Sequence, residues 1–371
     1  MRIAFIGTKG INIGADTFGG FETVVTELAP RLVASGHFIT IYCRRNLYTT
    51  QILPREIKGV RLRFLGSIET KSLGTMSNSL LSIFCVIQEK NDLVVLFNLG
   101  PGIFVPLLKL FGIKVITHLD GVEWERGKWG RLARKMFRLG ALFSVKFADH
   151  LIADAKEINR IYLKEYGRDS VVIPYGAEII NDLSPDRIQG FGLRPNDYFL
   201  LVTRFVPENN PLFIIQSYLQ TKSRKPLVVL GKNYYKSQYE TELKQIKDER
   251  VRFLGHISDR KLLYEFYRYS YCYIHGHSVG GTNPTMLEAL ANSCCILALN
   301  TPFNKEMLAK DAYGIFFDLD SRDLIEKISF IDTHPDEVKS LQRKTTERIR
   351  TYYNWESVTN KYLELFASIV R

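Results

Sequence analysis

The stretch Gly280-Gly281-Thr282-Asn283-Pro284-Thr285-Met286-Leu287-Glu288-Ala289-Leu290 runs a glycine-rich turn straight into a helical pattern whose first turns carry a single acid. The first N–H groups of a helix have no partner within it, and the helix dipole sets partial positive charge behind them. Such a start seats phosphate oxygens. Glu288 adds a carboxylate able to accept two hydrogen bonds from a sugar diol. An anion seat beside a diol acceptor suits a nucleotide bound through its diphosphate and its ribose. An ordinary helix cap followed by a surface glutamate uses the same residues, so this segment alone leaves both readings open.

Other polar residues sit where buried strands end. Gly7-Thr8-Lys9-Gly10 follows the first strand, and Gly19-Gly20-Phe21-Glu22-Thr23 opens the next helix. Glycines there let the backbone approach a ligand, and the helix start again favours phosphate, although the spacing fits neither GxGxxG nor GxxxxGK[ST]. His118-Leu119-Asp120-Gly121 closes another strand, where His118 or Asp120 could orient or deprotonate a substrate hydroxyl. A histidine at a strand end is more often structural; a carboxylate beside Gly121 has fewer structural reasons to be there. Arg204, directly after a strand, can grip a diphosphate bidentately, and Lys232 after Gly231 could add a second positive charge or simply be solvated. Asp318-Leu319-Asp320 has the DxD form of a metal site, but it precedes Ser321-Arg322-Asp323, where an acid caps a helix. The cap is the expected role, with no essential metal and no cofactor.

These residues need a scaffold of short buried strands alternating with helices. Ile3–Ile6, Ile39–Tyr42, Leu93–Phe97, Lys114–Thr117 and His150–Ala153 read as parallel strands, with helices over Thr23–Ser35 and Lys156–Tyr166. The alternation restarts after a polar stretch, at Tyr198–Thr203, Leu227–Leu230, Val251–Leu254, Cys272–Ile274 and Cys295–Ala298. The reading is an α/β chain of two doubly wound, Rossmann-like domains: 1–180, and 195–354, with a last helix over 355–371 that returns to the first. A cleft between the carboxyl ends of the two sheets would bring the Gly19-Gly20 and Gly280 loops to one diphosphate.

At 371 residues the chain is long enough for two such cores. Its five cysteines form no CxxC pair and no Cys/His cluster, so no disulfide framework or structural metal is indicated, and a reducing cytoplasm is the expected location. Met1–Gly7 reads as a strand and not as a signal peptide. The most apolar window, Leu93–Ile113, is broken by Asn98, Gly100-Pro101-Gly102 and Pro106, so no transmembrane helix is expected. A formal charge of +11 asks for an acidic partner. In Arg126–Leu139, Trp129, Leu132, Ala133, Met136 and Phe137 share an apolar stripe flanked by Arg131, Arg134, Lys135 and Arg138, the pattern of a helix that lies on an anionic membrane. A stripe packed on its own domain would look the same. No helix-turn-helix, RNP-type motif or zinc finger is present, so nucleic acid is not the expected partner.

With loops and domains placed, the chain resembles the GT-B glycosyltransferases of family 4, retaining enzymes that use nucleotide sugars. Arg204 and Glu288-Ala289-Leu290-Ala291 carry that likeness. It is similar in particular to the bacterial rhamnosyltransferase branch, through Ile6–Gly10, Gly19–Thr23, Asp120–Arg126, Ile173-Pro174-Tyr175-Gly176-Ala177-Glu178, Val206-Pro207-Glu208-Asn209-Asn210 and Val279–Pro284. Two positions depart from the wider family: the acid it places eight residues before Glu288 is Gly280, and the lysine it sets five residues after the arginine is Asn209. The resemblance implies a donor, dTDP-L-rhamnose or another nucleotide sugar such as a UDP-hexose. Glu288 would hold the nucleoside sugar, and Arg204 with the Gly281, Thr282 and Asn283 amides the diphosphate; Lys232 and Asn209 stand beside them. It implies as acceptor a saccharide on a lipid diphosphate, oriented by Asp120 or His118, at the inner face of the plasma membrane. A non-catalytic nucleotide-sugar or polyanion binding module and a sugar-nucleotide epimerase are the competing readings.

Overall fold

The computed structural model describes residues 1–12, 19–48, 52–70, 73–119, 121–125, 129–233 and 238–370. Asp120 and the basic residues 126 and 128 lie outside the described residues. The chain divides into two compact units, Met1–Tyr175 with Trp355–Arg371, and Gly176–Asn354.

The first unit is built on an eight-stranded sheet: β1 (Arg2–Ile6), β2 (Phe38–Arg44), β3 (Glu56–Ile57), β4 (Val60–Leu65), β5 (Leu93–Phe97), β6 (Lys114–Leu119), β7 (His150–Ala153) and β8 (Val171–Val172). Their order is β3-β4-β2-β1-β5-β6-β7-β8, and every pairing except the β3–β4 hairpin is parallel. Ile3–Ile6 and Leu93–Phe97 are buried throughout, as strands covered by helices on both faces must be. The helices are α1 (Gly20–Ala34), α2 (Leu73–Gln88), α3 (Val105–Leu110), α4 (Arg131–Phe147) and α5 (Lys156–Tyr166). β4 escapes a search for apolar runs because it alternates: Val60 and Leu62 are buried, while the outward Arg61 and Arg63 pair with Glu89.

The second unit holds six parallel strands, β9 (Phe199–Val202), β10 (Leu227–Leu230), β11 (Val251–Gly255), β12 (Cys272–His275), β13 (Ile296–Leu299) and β14 (Ile315–Phe317), in the order β11-β10-β9-β12-β13-β14. Around them pack α6 (Asp186–Gln189), α7 (Pro211–Leu219), α8 (Gln238–Lys244), α9 (Arg260–Arg268), α10 (Pro284–Ala291), α11 (Pro302–Met307), α12 (Ser321–Thr333) and α13 (Pro335–Thr351). Phe199, Leu201, Ile214, Leu227, Val229, Ile274, Leu297 and Leu324 form the heart of the core. Asp320 is the N-cap of α12, accepting from the N–H groups of Arg322 at 2.7 Å and Asp323 at 3.3 Å. The last helix, α14 (Trp355–Val370), packs on α1 of the first unit, with the Arg31 guanidinium 5.5 Å from the Trp355 ring centre. No described helix is long and apolar enough to cross a membrane.

Candidate active site

In a doubly wound sheet the loops on either side of the strand where the order reverses gather at the carboxyl edge. In the second unit that point lies between β9 and β12, and the two loops are bound together. The Asn210 carboxamide, from a backbone in the left-handed region (φ 54°), donates to the Gly276 carbonyl at 2.8 Å and to Ser278 Oγ at 2.7 Å. The Ser278 N–H donates to the Glu208 carbonyl at 3.0 Å. Asn209 is buried, and its carboxamide donates to the Arg204 carbonyl at 3.2 Å. The residue expected against the donor therefore shapes the loop from which the exposed Arg204 side chain projects. Lys232 leaves the neighbouring strand at the same level: Leu230 pairs in register with Val202, and each cation stands two residues further on.

The loop after β12 enters α10 through Gly280, whose φ of 133° lies in the region that favours glycine. A Cβ there would meet no atom within 4 Å, so the backbone conformation, and not crowding, disfavours an acid at this position. Asn283 caps α10, its Oδ1 accepting from the Thr285 N–H at 3.0 Å and from Thr285 Oγ1 at 2.7 Å. Its own N–H, expected on a phosphate, is directed at Met307 Sδ, 3.2 Å away on α11. Thr282 is buried and Gly281 half-buried beside it. Glu288 is half-buried, and burial pushes its carboxyl up to about 7 against the opposing pull of Arg260 and the Tyr267 hydroxyl.

A buried relay behind α10 had no part in the sequence reading. The Tyr273 hydroxyl donates to Thr285 Oγ1 at 3.0 Å, so it accepts from His275 Nδ1 at 2.9 Å, which leaves His275 Nε2 unprotonated and without a partner. Burial drives His275 down to about 3, and its neutral ring stacks on His277 with 4.3 Å between ring centres. The signal available in the sequence was the run Tyr273-Ile274-His275-Gly276-His277 at a strand end.

In the first unit the order reverses between β1 and β5. At the start of α1, Glu22 accepts from the Gly19 N–H at 2.7 Å and from the Lys9 N–H at 2.9 Å. Gly19 thus meets the protein's own carboxylate, one half of a capping box. His118, on β6, is fully buried against Phe97 (ring centres 5.5 Å apart), Phe21 (5.1 Å) and Tyr175 (5.9 Å). Burial lowers it to about 4, and Nε2 has no partner. It is a neutral imidazole at physiological pH, able to hold a hydroxyl but a weak base for removing its proton. The amphipathic stripe divides on α4: Leu132 is 74% exposed, whereas Trp129, Ala133, Met136 and Phe137 turn inward and line a pocket.

Residues 18–179 match the model described as Glycosyltransferase Family 4, and residues 189–348 match Glycosyl transferases group 1. The chain belongs to glycosyltransferase family 4. The fold of this glycosyltransferase is that of a GT-B enzyme: it superposes on a sucrose-phosphate synthase from Thermosynechococcus elongatus with a TM-score of 0.83 at 16% identity, covering 100% of this chain and 99% of that one. HepE of Anabaena in complex with UDP gives 0.79 at 16% identity, covering 99% and 100%. The catalytic domain of starch synthase IV from Arabidopsis thaliana, bound to ADP and acarbose, gives 0.76 at 13%, covering 100% and 99%. No curated protein matches the chain. Within the glycosyltransferase, the second unit thus combines two cations at a strand edge with a carboxyl that titrates near neutrality, and the first combines a carboxylate at the N-cap of α1 with a neutral histidine whose Nε2 has no partner.

Proposed function

We propose that this glycosyltransferase moves L-rhamnose from dTDP-L-rhamnose, with retention of configuration, to a saccharide carried on a lipid diphosphate during assembly of a bacterial cell-surface polysaccharide. The observation that carries the reading is the bracing of the loop that carries Arg204 to the loop that leads into α10, with Lys232 at the neighbouring strand end, which supports a charge-neutralising edge for a diphosphate leaving group. The donor diphosphate departs with both electrons of the anomeric C–O bond. The acceptor hydroxyl attacks from the same face, and its proton passes to a phosphate oxygen of the leaving group. His118 and Asp120 orient that hydroxyl; the depressed basicity of His118 supports orientation over proton removal.

Gly280 supports a donor pocket remodelled away from the carboxylate grip on sugar hydroxyls, which suits a 6-deoxy sugar. A deoxyribose offers Glu288 only its 3′-hydroxyl, and HepE is known with UDP and with UDP-glucose, so a UDP-hexose is the alternative donor. The outward row of α4, with Arg131, Lys135 and Arg138 among Leu132, Leu139 and Leu142, supports peripheral docking on an anionic membrane.

The test incubates the protein with dTDP-rhamnose or UDP-sugars and a synthetic lipid-diphosphate glucose or N-acetylglucosamine, in EDTA, and weighs the products by mass spectrometry. A deoxyhexose added only from dTDP-rhamnose is expected. A hexose from a UDP-sugar would replace the donor assignment, and nucleotide binding without any transfer would favour a binding module.

A further inference from the structure

The inward face of α4, Trp129 just before it and the uncharged helix α2 flank an open pocket, lined by Met76, Trp129, Ala133, Met136 and Phe137, with Asn98 and Thr75 as its polar points. Its shape follows from uneven packing along α4. At one end Gly140 and Gly102 let the helix and the turn Gly100–Phe104 approach so closely that a Cβ on Gly140 would stand 2.0 Å from the Leu99 carbonyl oxygen. One to three turns earlier the side chains are large, and Trp129 and Phe137, with ring centres 5.0 Å apart, hold the walls open. Asn98, at φ 82°, turns the chain at the end of β5 by accepting from the Gly100 N–H at 3.0 Å, so the pocket sits at the carboxyl edge where β1 and β5 part.

The helix that forms one wall of the pocket is basic. Arg134 has a buried Nε with no hydrogen-bond partner, and Arg131, Lys135 and Arg138 form no ion pair among the described residues. The mouth adjoins helices with outward apolar side chains, Leu73, Leu81 and Phe84 on α2 and Leu132 and Leu139 on α4. An apolar, aromatic cavity walled by a helix that also carries unpaired cations complements a hydrocarbon chain that ends in a phosphate ester. We infer that this pocket receives the first segment of the hydrocarbon chain of a phosphate-bearing lipid, with Arg134 and its neighbours on the phosphate. The inference deepens the lipid-acceptor reading and rests on it.

Trp129 reports occupancy directly. Titration of the full chain with a chain-brominated undecyl phosphate, below its micelle concentration, is expected to quench fluorescence saturably, and Trp129→Phe removes the saturable part. Each methylene lost from the probe should weaken binding about fourfold for as long as the pocket buries it. Ala133→Phe fills the pocket and should weaken binding about tenfold; Thr75→Phe does so from the opposite wall should the first variant not fold. Arg134→Gln should weaken the phosphate probe but not the matching alcohol, and inorganic phosphate should not compete. Quenching that fails to saturate, ignores chain length or survives both filling variants overturns the inference. Displacement by inorganic phosphate alone would also overturn it, in favour of a simple anion site. Failure of the transferase reading has a different signature: the unaltered protein transfers sugar to no acceptor, while the quenching remains.

Discussion

The two units share an architecture and diverge at the same topological position. Where β9 and β12 part, the Asn210 side chain binds one loop to the other, Asn209 closes its own turn, and two cations, Arg204 and Lys232, follow the strand ends, backed by a carboxyl near its midpoint at neutral pH. Where β1 and β5 part, a glutamate binds the N-cap of α1, the nearby histidine is neutral, and an aromatic pocket opens. A doubly wound sheet thus fixes where a ligand goes, while the loops decide what kind. The charged edge suits a diphosphate that must leave as an anion. The aromatic edge suits a hydroxyl and a chain.

The sharpest way to break this contrast is Arg204→Ala, expected to lower kcat about 10²–10³-fold because it removes charge stabilisation of the departing diphosphate. Glu22→Gln should destabilise the start of α1 without comparable loss of nucleotide affinity in a calorimetric titration. An equal loss of nucleotide binding in both variants would erase the division between the units.

Charge reversal on α4 tests the other side. Arg131→Glu with Arg134→Glu should weaken binding to anionic vesicles by about 1 kcal/mol or more per residue changed, and the binding of the unaltered protein should itself fall with added salt. Vesicle binding indifferent to both would remove the membrane role of this face.

Glu288 gives a pH test with a defined sign. Its folded value of about 7 lies above the ordinary 4.5, so the native state holds the proton more tightly and gains stability from this group that is full below about pH 4.5 and lost as pH rises through 7. Glu288→Gln should therefore melt higher than the parent at pH 8 and alike at pH 4.5, while binding nucleotide about tenfold more weakly at pH 8. His118, neutral above about 4, should add no inflection to the rate profile between pH 5 and 8. The smallest effect expected is that of Gly280→Ala: no neighbour is crowded, yet the backbone at φ 133° should make it about 1–3 kcal/mol less stable in urea. A neutral result would mean the loop readily relaxes and that Gly280 reflects ligand choice alone.

Legibility followed the range of the interactions involved. The buried strands and α5 could be read because an apolar run or a 3.6-residue period is a local pattern. The cap at Asp320 was equally local, an acid at the foot of a helix. The role of Asn209 was not: its carboxamide engages the Arg204 carbonyl only because the turn between them closes. Nor could the sequence assign the Asn283 N–H to Met307, which lies 24 residues away on another helix. The stripe on α4 was visible as a period, but the period does not say which side meets the domain, and Leu132 went to solvent while its neighbours went to the pocket.

By itself, the order of residues determined two largely parallel α/β sheets, the strand ends that carry Arg204, Lys232 and His118, the helix that carries Glu288, and the basic amphipathic helix, because each depends on neighbours a few positions apart. Tertiary structure alone decided the protonation of Glu288 and His118, the bond from the Lys9 N–H to Glu22 and the pocket between α2 and α4. Burial, long-range hydrogen bonds and cavity shape are set by residues that meet only when the chain has folded.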